Sequence, residues 1–144
     1  MYFYVGKRVS HHLDAEFAGR VLLPADLVVE IEGEEPVYID THFNPKFALV
    51  HETYQRDAVP VDLGVDLIDL RLLAPVDLAV SKIARFAEVD REDIASLVQA
   101  GLTDAAAIAQ RAREAVTAYI GNPADIRHKI ELAVELARRA GPDR

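Results

Sequence analysis

The spacing of apolar residues changes near Pro75, and this change constrains the fold more than any other feature. Before Pro75, apolar and polar residues alternate in short runs separated by turn formers, and after it apolar residues recur at the helical period. The sequence therefore predicts an α+β fold with a strand-rich half, residues 1–73, and a helical half, residues 74–144, packed on it. A length of 144 residues favours a single globule with a shared core.

Composition narrows the classes of function. The chain has no cysteine, which excludes disulfides, thiolate metal sites and thiol nucleophiles. A net charge of −8 argues against broad non-specific binding to nucleic acid, although it leaves RNA open as a partner. No apolar run is long enough to span a bilayer and no signal peptide is present, so we expect a cytoplasmic protein without a membrane partner.

Strands are predicted at four places in the first half. The runs Leu27–Ile31 and Val37–Phe43 flank a Glu-Gly-Glu-Glu segment that has the length and the glycine of a hairpin loop. Leu67–Leu72 alternates cleanly, and Leu13–Phe17 is the fourth candidate. A short helix is expected within Phe47–Asp57.

Helices in the second half are predicted mainly from their end signals. Proline suits a first helical turn, Asp, Thr and Asn suit N-terminal caps, and glycine suits the residue after a helix. The expected helices span about 75–86, 90–101, 103–121 and 122–141, with Pro75 in a first turn and Asp90, Thr103 and Asn122 as caps. The last helix carries an apolar stripe that must be buried, at Ile126, Ile130, Ala133, Val134 and Ala137.

Metal-capable side chains alternate along two of the predicted strands. His12, Asp14 and Glu16 would share one face of an extended backbone, and Asp40 and His42 repeat the spacing. If the two strands pair, these side chains stand next to one another and can hold a cation. The structural alternative is polar decoration on the open face of a half-buried sheet.

Three segments of the chain, which are residues 8–14, 73–85 and 90–94, together resemble motifs of a known family. That family is the nucleotidyltransferase superfamily, in its minimal, AbiEii-like branch associated with abortive infection and toxin–antitoxin systems. Arg8-Val9-Ser10 followed by His12-Leu13-Asp14 resembles the strand motif of Arg, a spacer, Ser or Thr, then Asp-x-Asp. Leu73–Arg85 resembles a helix that begins with Pro and carries a Lys, and Asp90–Ile94 resembles the charged motif downstream. The resemblance implies a polymerase-beta-like mixed sheet followed by a C-terminal helical bundle.

The resemblance also implies residue roles. Asp14 and Asp40 match carboxylates that hold Mg²⁺ or Mn²⁺ in the family, and His12 completes the set. Arg8, Ser10 and Lys82 match positions around the nucleotide, with Lys82 near the phosphates. The family has a carboxylate where this chain has His12, and this change weakens magnesium binding and favours manganese, zinc or no metal at all.

The start of the chain departs from the family as well. The family places a strand and a Gly-Gly or Gly-Ser turn before the Arg-x-Ser motif, whereas only Met1–Val5 precede Gly6 here. We therefore expect the first strand and the phosphate-gripping turn to be missing. Loss of a central strand would expose a sheet edge, which a second copy of the chain or another protein could close.

Three hypotheses about function follow. The first is metal-dependent transfer of a nucleotidyl group from a nucleoside triphosphate to an RNA or protein hydroxyl in a toxin–antitoxin-type system. The second is a catalytically inactive nucleotidyltransferase-fold module that acts as an antitoxin or binds a partner. The third is a zinc or manganese hydrolase that uses His12, Asp14, Asp40 and His42.

Several charged residues also have purely structural interpretations. The stem of Lys82 can cover apolar surface while its ammonium reaches water. The acidic residues of 90–93 can complement the dipole at a helix N-terminus. The basic residues Arg111, Arg113, Arg127, His128 and Lys129 are interleaved with acidic ones and are expected on a solvated face.

Overall fold

A computed structural model describes residues 4, 12–17, 19, 27–30, 32–33, 35–40, 48–62, 64 and 69–141, with residues 12–14 and 27 described by their backbone. The fold is α+β, as predicted. The chain divides into two compact units, residues 1–45 and 46–144. This division lies before the change from strands to helices expected at residue 73, so two of the strands belong to the second unit.

A mixed three-stranded sheet forms the described part of the first unit. Its strands are β1 (His12–Asp14), β2 (Leu27–Val29) and β3 (Val37–Asp40). β3 lies in the centre, parallel to β1 and antiparallel to β2. The predicted hairpin is confirmed, and β1 and β3, whose pairing the sequence left open, are neighbouring strands. Gly33 has a φ of +82° in the hairpin turn, a conformation that glycine adopts without a Cβ clash.

The second unit contains a two-stranded sheet and the longer helices. In chain order its elements are α1 (Tyr54–Asp57), β4 (Val59–Val61), β5 (Leu70–Leu72), α2 (Pro75–Ser81), α3 (Glu88–Gln99), α4 (Ala105–Ala115), a short 3₁₀ helix (Val116–Ala118) and α5 (Pro123–Ala140). The helix α1 and the strand β5 lie inside segments predicted for them.

The sequence did not reveal β4, which pairs antiparallel with β5. Its middle residue is Pro60, which lacks the N–H that a central strand would need. Proline is nevertheless tolerated on an edge strand, and among the described residues β4 pairs with β5 alone. A three-residue strand with a central proline therefore gives almost no strand signal.

The core of the second unit lies among its helices. α5 contacts both α3 and α4, and α4 also contacts α2. The apolar stripe predicted for the last helix is buried throughout, at Ile126, Ile130, Ala133, Val134 and Ala137. Opposite it are buried residues of α3 and α4 that include Ile94, Leu97, Ile108 and Ala112. No helix in the described part of the chain is long and apolar enough to cross a membrane.

Two of the three predicted caps are wrong by a few residues. α3 begins at Glu88, so Asp90 is its third residue rather than its cap, and the Asp90 carboxylate accepts the N–H of Ala87 at 2.9 Å. Asp104 caps α4 by accepting the N–H of Ala107 at 2.8 Å. The Thr103 hydroxyl is instead buried without a hydrogen-bond partner among the described residues. In α4 the true cap, Asp104, directly follows the predicted one, whereas α3 has Ala87 at its cap position.

Other helix ends agree better with the sequence. Asn122 caps α5, as predicted, by accepting the N–H of Ala124 at 3.0 Å. Gly101 follows α3 with a φ of +70°, and its N–H donates to the Val98 carbonyl at 2.9 Å. The first predicted helix was too long, because α2 ends at Ser81 and is followed by turns that reach Phe86, whose φ is +55°.

Candidate functional site

The central strand β3 brings the predicted carboxylate positions together. Asp14 on β1 and Asp40 on β3 are Cα partners in the parallel register, as are His12 and Tyr38. The N–H of Ala15 donates to the Asp40 carbonyl at 2.9 Å and extends this pairing by one residue. The sheet therefore aligns the two aspartate positions on neighbouring strands.

One face of β3 is the more open one. Tyr38 and Asp40 are exposed, while Val37 and Ile39 between them are half-buried. Such alternation is expected when one face of a strand packs against the protein and the other faces solvent. Asp40 therefore lies on the solvent-facing side of the central strand.

The remaining predicted ligands are not tested by the structure. Arg8, Ser10 and His42 lie outside the described residues, and His12 and Asp14 are described by their backbone. Within the described ranges, no three His, Asp or Glu side chains converge to hold a metal ion. The metal set of His12, Asp14 and Asp40 thus stays a prediction that rests on register and residue type.

Lys82 lies in the second unit, where it joins an ion-pair cluster. It directly follows the last residue of α2, and its Nζ is 3.2 Å from Asp93 Oδ2 and 3.9 Å from Asp90 Oδ1. Both carboxylates come from the first turns of α3 and are buried. The ammonium of Lys82 therefore has protein partners and does not simply reach water.

Asp90 is the most extensively bonded residue of this cluster. Arg85 donates to its carboxylate from Nε and from Nη2, each at 2.7 Å, in a bidentate pair. Burial raises the pKa of Asp90, but the hydrogen bonds from Arg85 and Ala87 and the positive charges of Arg85 and Lys82 outweigh it, so that the pKa lies below its ordinary value. The structural interpretation of this acidic segment is only partly correct, because its carboxylates also bind cationic side chains.

A second polar cluster forms around Arg111 of α4. Its guanidinium donates from Nε and Nη2 to the two carboxylate oxygens of Asp77, each at 2.7 Å, and Nη2 also donates to Asp57 at 2.9 Å. Asp77 is fully buried on α2. Arg111 was predicted to lie on a solvated face, and this prediction is wrong because two carboxylates hold its guanidinium between α4, α2 and α1.

The loop before α1 extends the second cluster. The Thr53 hydroxyl donates to Asp57 at 2.5 Å and accepts from Arg111 Nη1 at 3.2 Å. His51 Nδ1 accepts the N–H of Thr53 at 3.2 Å, and its Nε2 lies 3.1 Å from a carboxylate oxygen of Glu114. Hydrogen bonds from Thr53, Arg56 and Arg111 hold the pKa of Asp57 well below its usual range. The cluster therefore fastens residues 51–57 to α4.

Sequence reasoning missed Asp77, Arg111 and His51 as a group. Asp77 stands in the first turn of a helix, where an acidic residue is already explained by the helix dipole. Arg111 lies 34 positions further along, so no local spacing connects the two. Such a pair could be found only by asking which cation compensates a carboxylate on a helix that is otherwise apolar.

The comparison with known protein families identifies the class of protein as nucleotidyltransferase-like. The profile of a protein family described as "Nucleotidyltransferase of unknown function (DUF6036)" matches residues 14–135. This match covers most of the chain, and the chain belongs to that family. The matched segment contains Asp14, Asp40 and Lys82, whereas Arg8, Ser10 and His12 precede it. No curated protein and no solved structure matches the chain.

Proposed function

We propose that the chain transfers a nucleotidyl group from a nucleoside triphosphate to a hydroxyl on RNA or protein, with Asp14 and Asp40 as the metal-binding carboxylates. The observation that supports this proposal is the parallel register in which Asp14 and Asp40 are Cα partners. Both residues also lie within the segment matched by the nucleotidyltransferase family. The resemblance of the β1 motif to the AbiEii-like branch makes a toxin–antitoxin setting part of the proposal.

The chemistry of the donor set fits a divalent cation. Asp14 and Asp40 supply hard oxygen ligands, and His12 supplies a nitrogen, a combination that suits Mn²⁺ better than Mg²⁺. The alternation of His12 and Asp14 on β1 is consistent with a shared face. When bound, such a cation neutralises negative charge on the attacking and leaving oxygens of a phosphoryl group.

Phosphate binding under this proposal involves cationic residues. Arg8 and Ser10 would contact the nucleotide beside β1, in accordance with the resemblance. Lys82 would contribute to phosphate binding only if the triphosphate competes with Asp93, whose carboxylate lies 3.2 Å from the ammonium. Loss of Lys82 would then weaken nucleotide binding less than loss of either aspartate.

A second candidate is a catalytically inactive module that binds another protein or a second copy of the chain. The ion pairing of Lys82 favours it, because Asp93 and Asp90 already satisfy a cation that the family resemblance assigns to phosphate. The imidazole of His12 in place of a carboxylate points the same way, since it removes one anionic metal ligand. This candidate predicts stable dimers or hetero-complexes and no binding of triphosphates.

Calorimetric titration separates the two candidates. ATP, CTP, GTP and UTP are titrated into the purified chain with Mn²⁺ and then with Mg²⁺, and the same titrations are made with Asp14→Asn and Asp40→Asn. The matched control is Asp69→Asn, which removes an exposed carboxylate that pairs with Arg71. The transferase proposal predicts metal-dependent binding that each site variant weakens at least about 10-fold and the control leaves unchanged.

Binding is then connected to chemistry by incubating the chain with an α-phosphate-labelled nucleotide, Mn²⁺ and either bulk RNA or protein. Label that becomes covalently attached only when Asp14 and Asp40 are intact supports transfer. Absence of metal-dependent binding for all four nucleotides contradicts the proposal. Light scattering that finds a stable dimer in that case supports the interaction module.

A further inference from the structure

Tyr38 occupies the centre of the open face of β3. It precedes Asp40 by two residues, so the two side chains share a face about 7 Å apart along the strand. The side chain of Tyr38 is 47% exposed, although it belongs to the central strand of its sheet. An aromatic ring is thus presented beside one of the proposed metal ligands.

The neighbouring strand enlarges this apolar surface. Val28 on β2 is the antiparallel partner of Tyr38 and is 39% exposed. On the other side, the parallel partner of Tyr38 is His12 of β1. Tyr38 therefore stands between an apolar position and a proposed metal ligand, within one row across the sheet. Asp14 and Asp40 are partners in the row two residues further along β3.

This arrangement complements the two chemically different parts of a nucleoside triphosphate, the phosphates and the base. A triphosphate is drawn to carboxylates through a shared divalent cation, and a nucleobase is drawn to an aromatic face. Aromatic stacking accepts every base, because each base has a π face, and differences in stacking strength give modest preferences among bases. A larger purine face would gain more from the ring than a pyrimidine would.

We propose that Tyr38 stacks on the base of the nucleoside triphosphate whose phosphates are held at Asp14 and Asp40, and that this contact favours ATP and GTP over CTP and UTP. The inference rests on the proposed transferase function and adds the residue that selects the nucleotide. Val28 supports the ring by flanking it on β2. Tyr38 acts as a specificity and positioning residue, because it contacts the base and takes no part in bond making.

Two probes that differ only in the nucleoside test this role. Inorganic tripolyphosphate carries the phosphates alone, and ATP adds the base and the sugar. Their affinities are measured with Mn²⁺ by calorimetry for the wild-type chain, Tyr38→Ile and Tyr38→Phe. Isoleucine keeps an apolar, strand-forming side chain but removes the ring, and phenylalanine keeps the ring but removes the hydroxyl. Tyr54→Ile is the control for loss of a tyrosine elsewhere in the chain.

The expected result is specific to the base. Tyr38→Ile weakens ATP and GTP binding about 10-fold or more, leaves tripolyphosphate binding unchanged and reduces the preference for purines. Tyr38→Phe and Tyr54→Ile bind both probes as the wild type does. Unchanged ATP affinity in Tyr38→Ile overturns the inference. Equal losses for ATP and tripolyphosphate also overturn it, because they indicate a role in shaping the sheet.

If the proposed transferase function is wrong, the binding measurements give a different pattern. If the wild-type chain binds tripolyphosphate in a manner that depends on Asp40, the metal site stands whatever the Tyr38 variants do. If the wild type binds neither probe, both the transferase proposal and the stacking role are overturned. A dimer that dissociates in Tyr38→Ile, with no change in ATP affinity, assigns the exposed face to contact between copies instead.

Discussion

Aspartates in the two units of the chain meet opposite environments. In the first unit Asp40 lies exposed on the sheet, whereas in the second unit Asp77 and Asp90 are almost completely buried. Each buried carboxylate accepts a bidentate pair of hydrogen bonds from an arginine, Arg111 or Arg85, at 2.7 Å. A buried charge is costly without such a partner, so the two buried carboxylates contribute to the stability of the fold, whereas Asp40 lies on a solvent-exposed face of its sheet.

The largest effect is expected from removing the arginine that pairs with the fully buried Asp77. Arg111→Ala leaves the Asp77 carboxylate buried without its cation, and loss of one partner from such a pair typically costs about 3–5 kcal/mol. We expect the free energy of unfolding in urea to fall by about that amount. The control is Arg113→Ala on the same helix, which removes an exposed arginine and should cost less than about 0.5 kcal/mol.

A double-mutant cycle sharpens this prediction. Arg111→Ala leaves the negative charge of Asp77 without its cation, and Asp77→Asn removes that charge. The double variant should therefore be more stable than the sum of the two single losses implies. Equal losses for Arg111→Ala and Arg113→Ala would contradict the comparison between the units, because the buried pair would then behave like surface charge.

An intermediate effect is expected at Asp90, and it should depend on pH. Asp90→Asn keeps an acceptor for the Ala87 N–H but loses the ionic bonds to Arg85, at a cost of about 2 kcal/mol near neutral pH. The pKa of Asp90 is lowered in the folded protein, so its contribution to stability is present above the unfolded value of about 3.9. It is lost as the pH falls from there through the folded pKa.

Urea denaturation of wild type and Asp90→Asn at a series of pH values measures this dependence. The difference in unfolding free energy should be constant from pH 7 to about pH 5 and should shrink progressively below about pH 4. A difference that remains constant down to pH 2 would mean that the charge of Asp90 contributes nothing. The variant would then act only through packing.

The fold was largely predictable wherever one local pattern determined the structure. The hairpin was visible because alternating runs flank a short loop with Gly33, and α5 was visible because Asn122 and Pro123 begin an apolar stripe of helical period. Cap positions were less predictable, since Thr103 and Asp104 are both good caps and only packing decides which side chain is buried. Almost no strand signal for β4 is present in the sequence, because this strand has only three residues and the middle one is Pro60.

The candidate site was also only partly predictable from the sequence. Alternation left the pairing of β1 with β3 open, and the register shows that Asp14 and Asp40 are partner positions. The partners of Lys82 and Arg111 did not follow, because ion pairs between helices depend on tertiary packing that leaves no trace at short spacing. The exposure of Tyr38 was equally hidden, since a tyrosine in a central strand is usually expected to be packed against other side chains.

The smallest effect on stability is expected at Asp40, and it is the most direct test of the difference between the units. Asp40 is exposed, and surface substitutions usually change stability by less than about 0.5 kcal/mol, so Asp40→Asn should unfold in urea almost as the wild type does. The same variant should lose metal-dependent nucleotide binding if the proposed function is correct. A loss of stability as large as that of Asp90→Asn would show that the protein needs this carboxylate for its own structure. Asp40 would then contribute as much to the stability of the fold as a buried aspartate does.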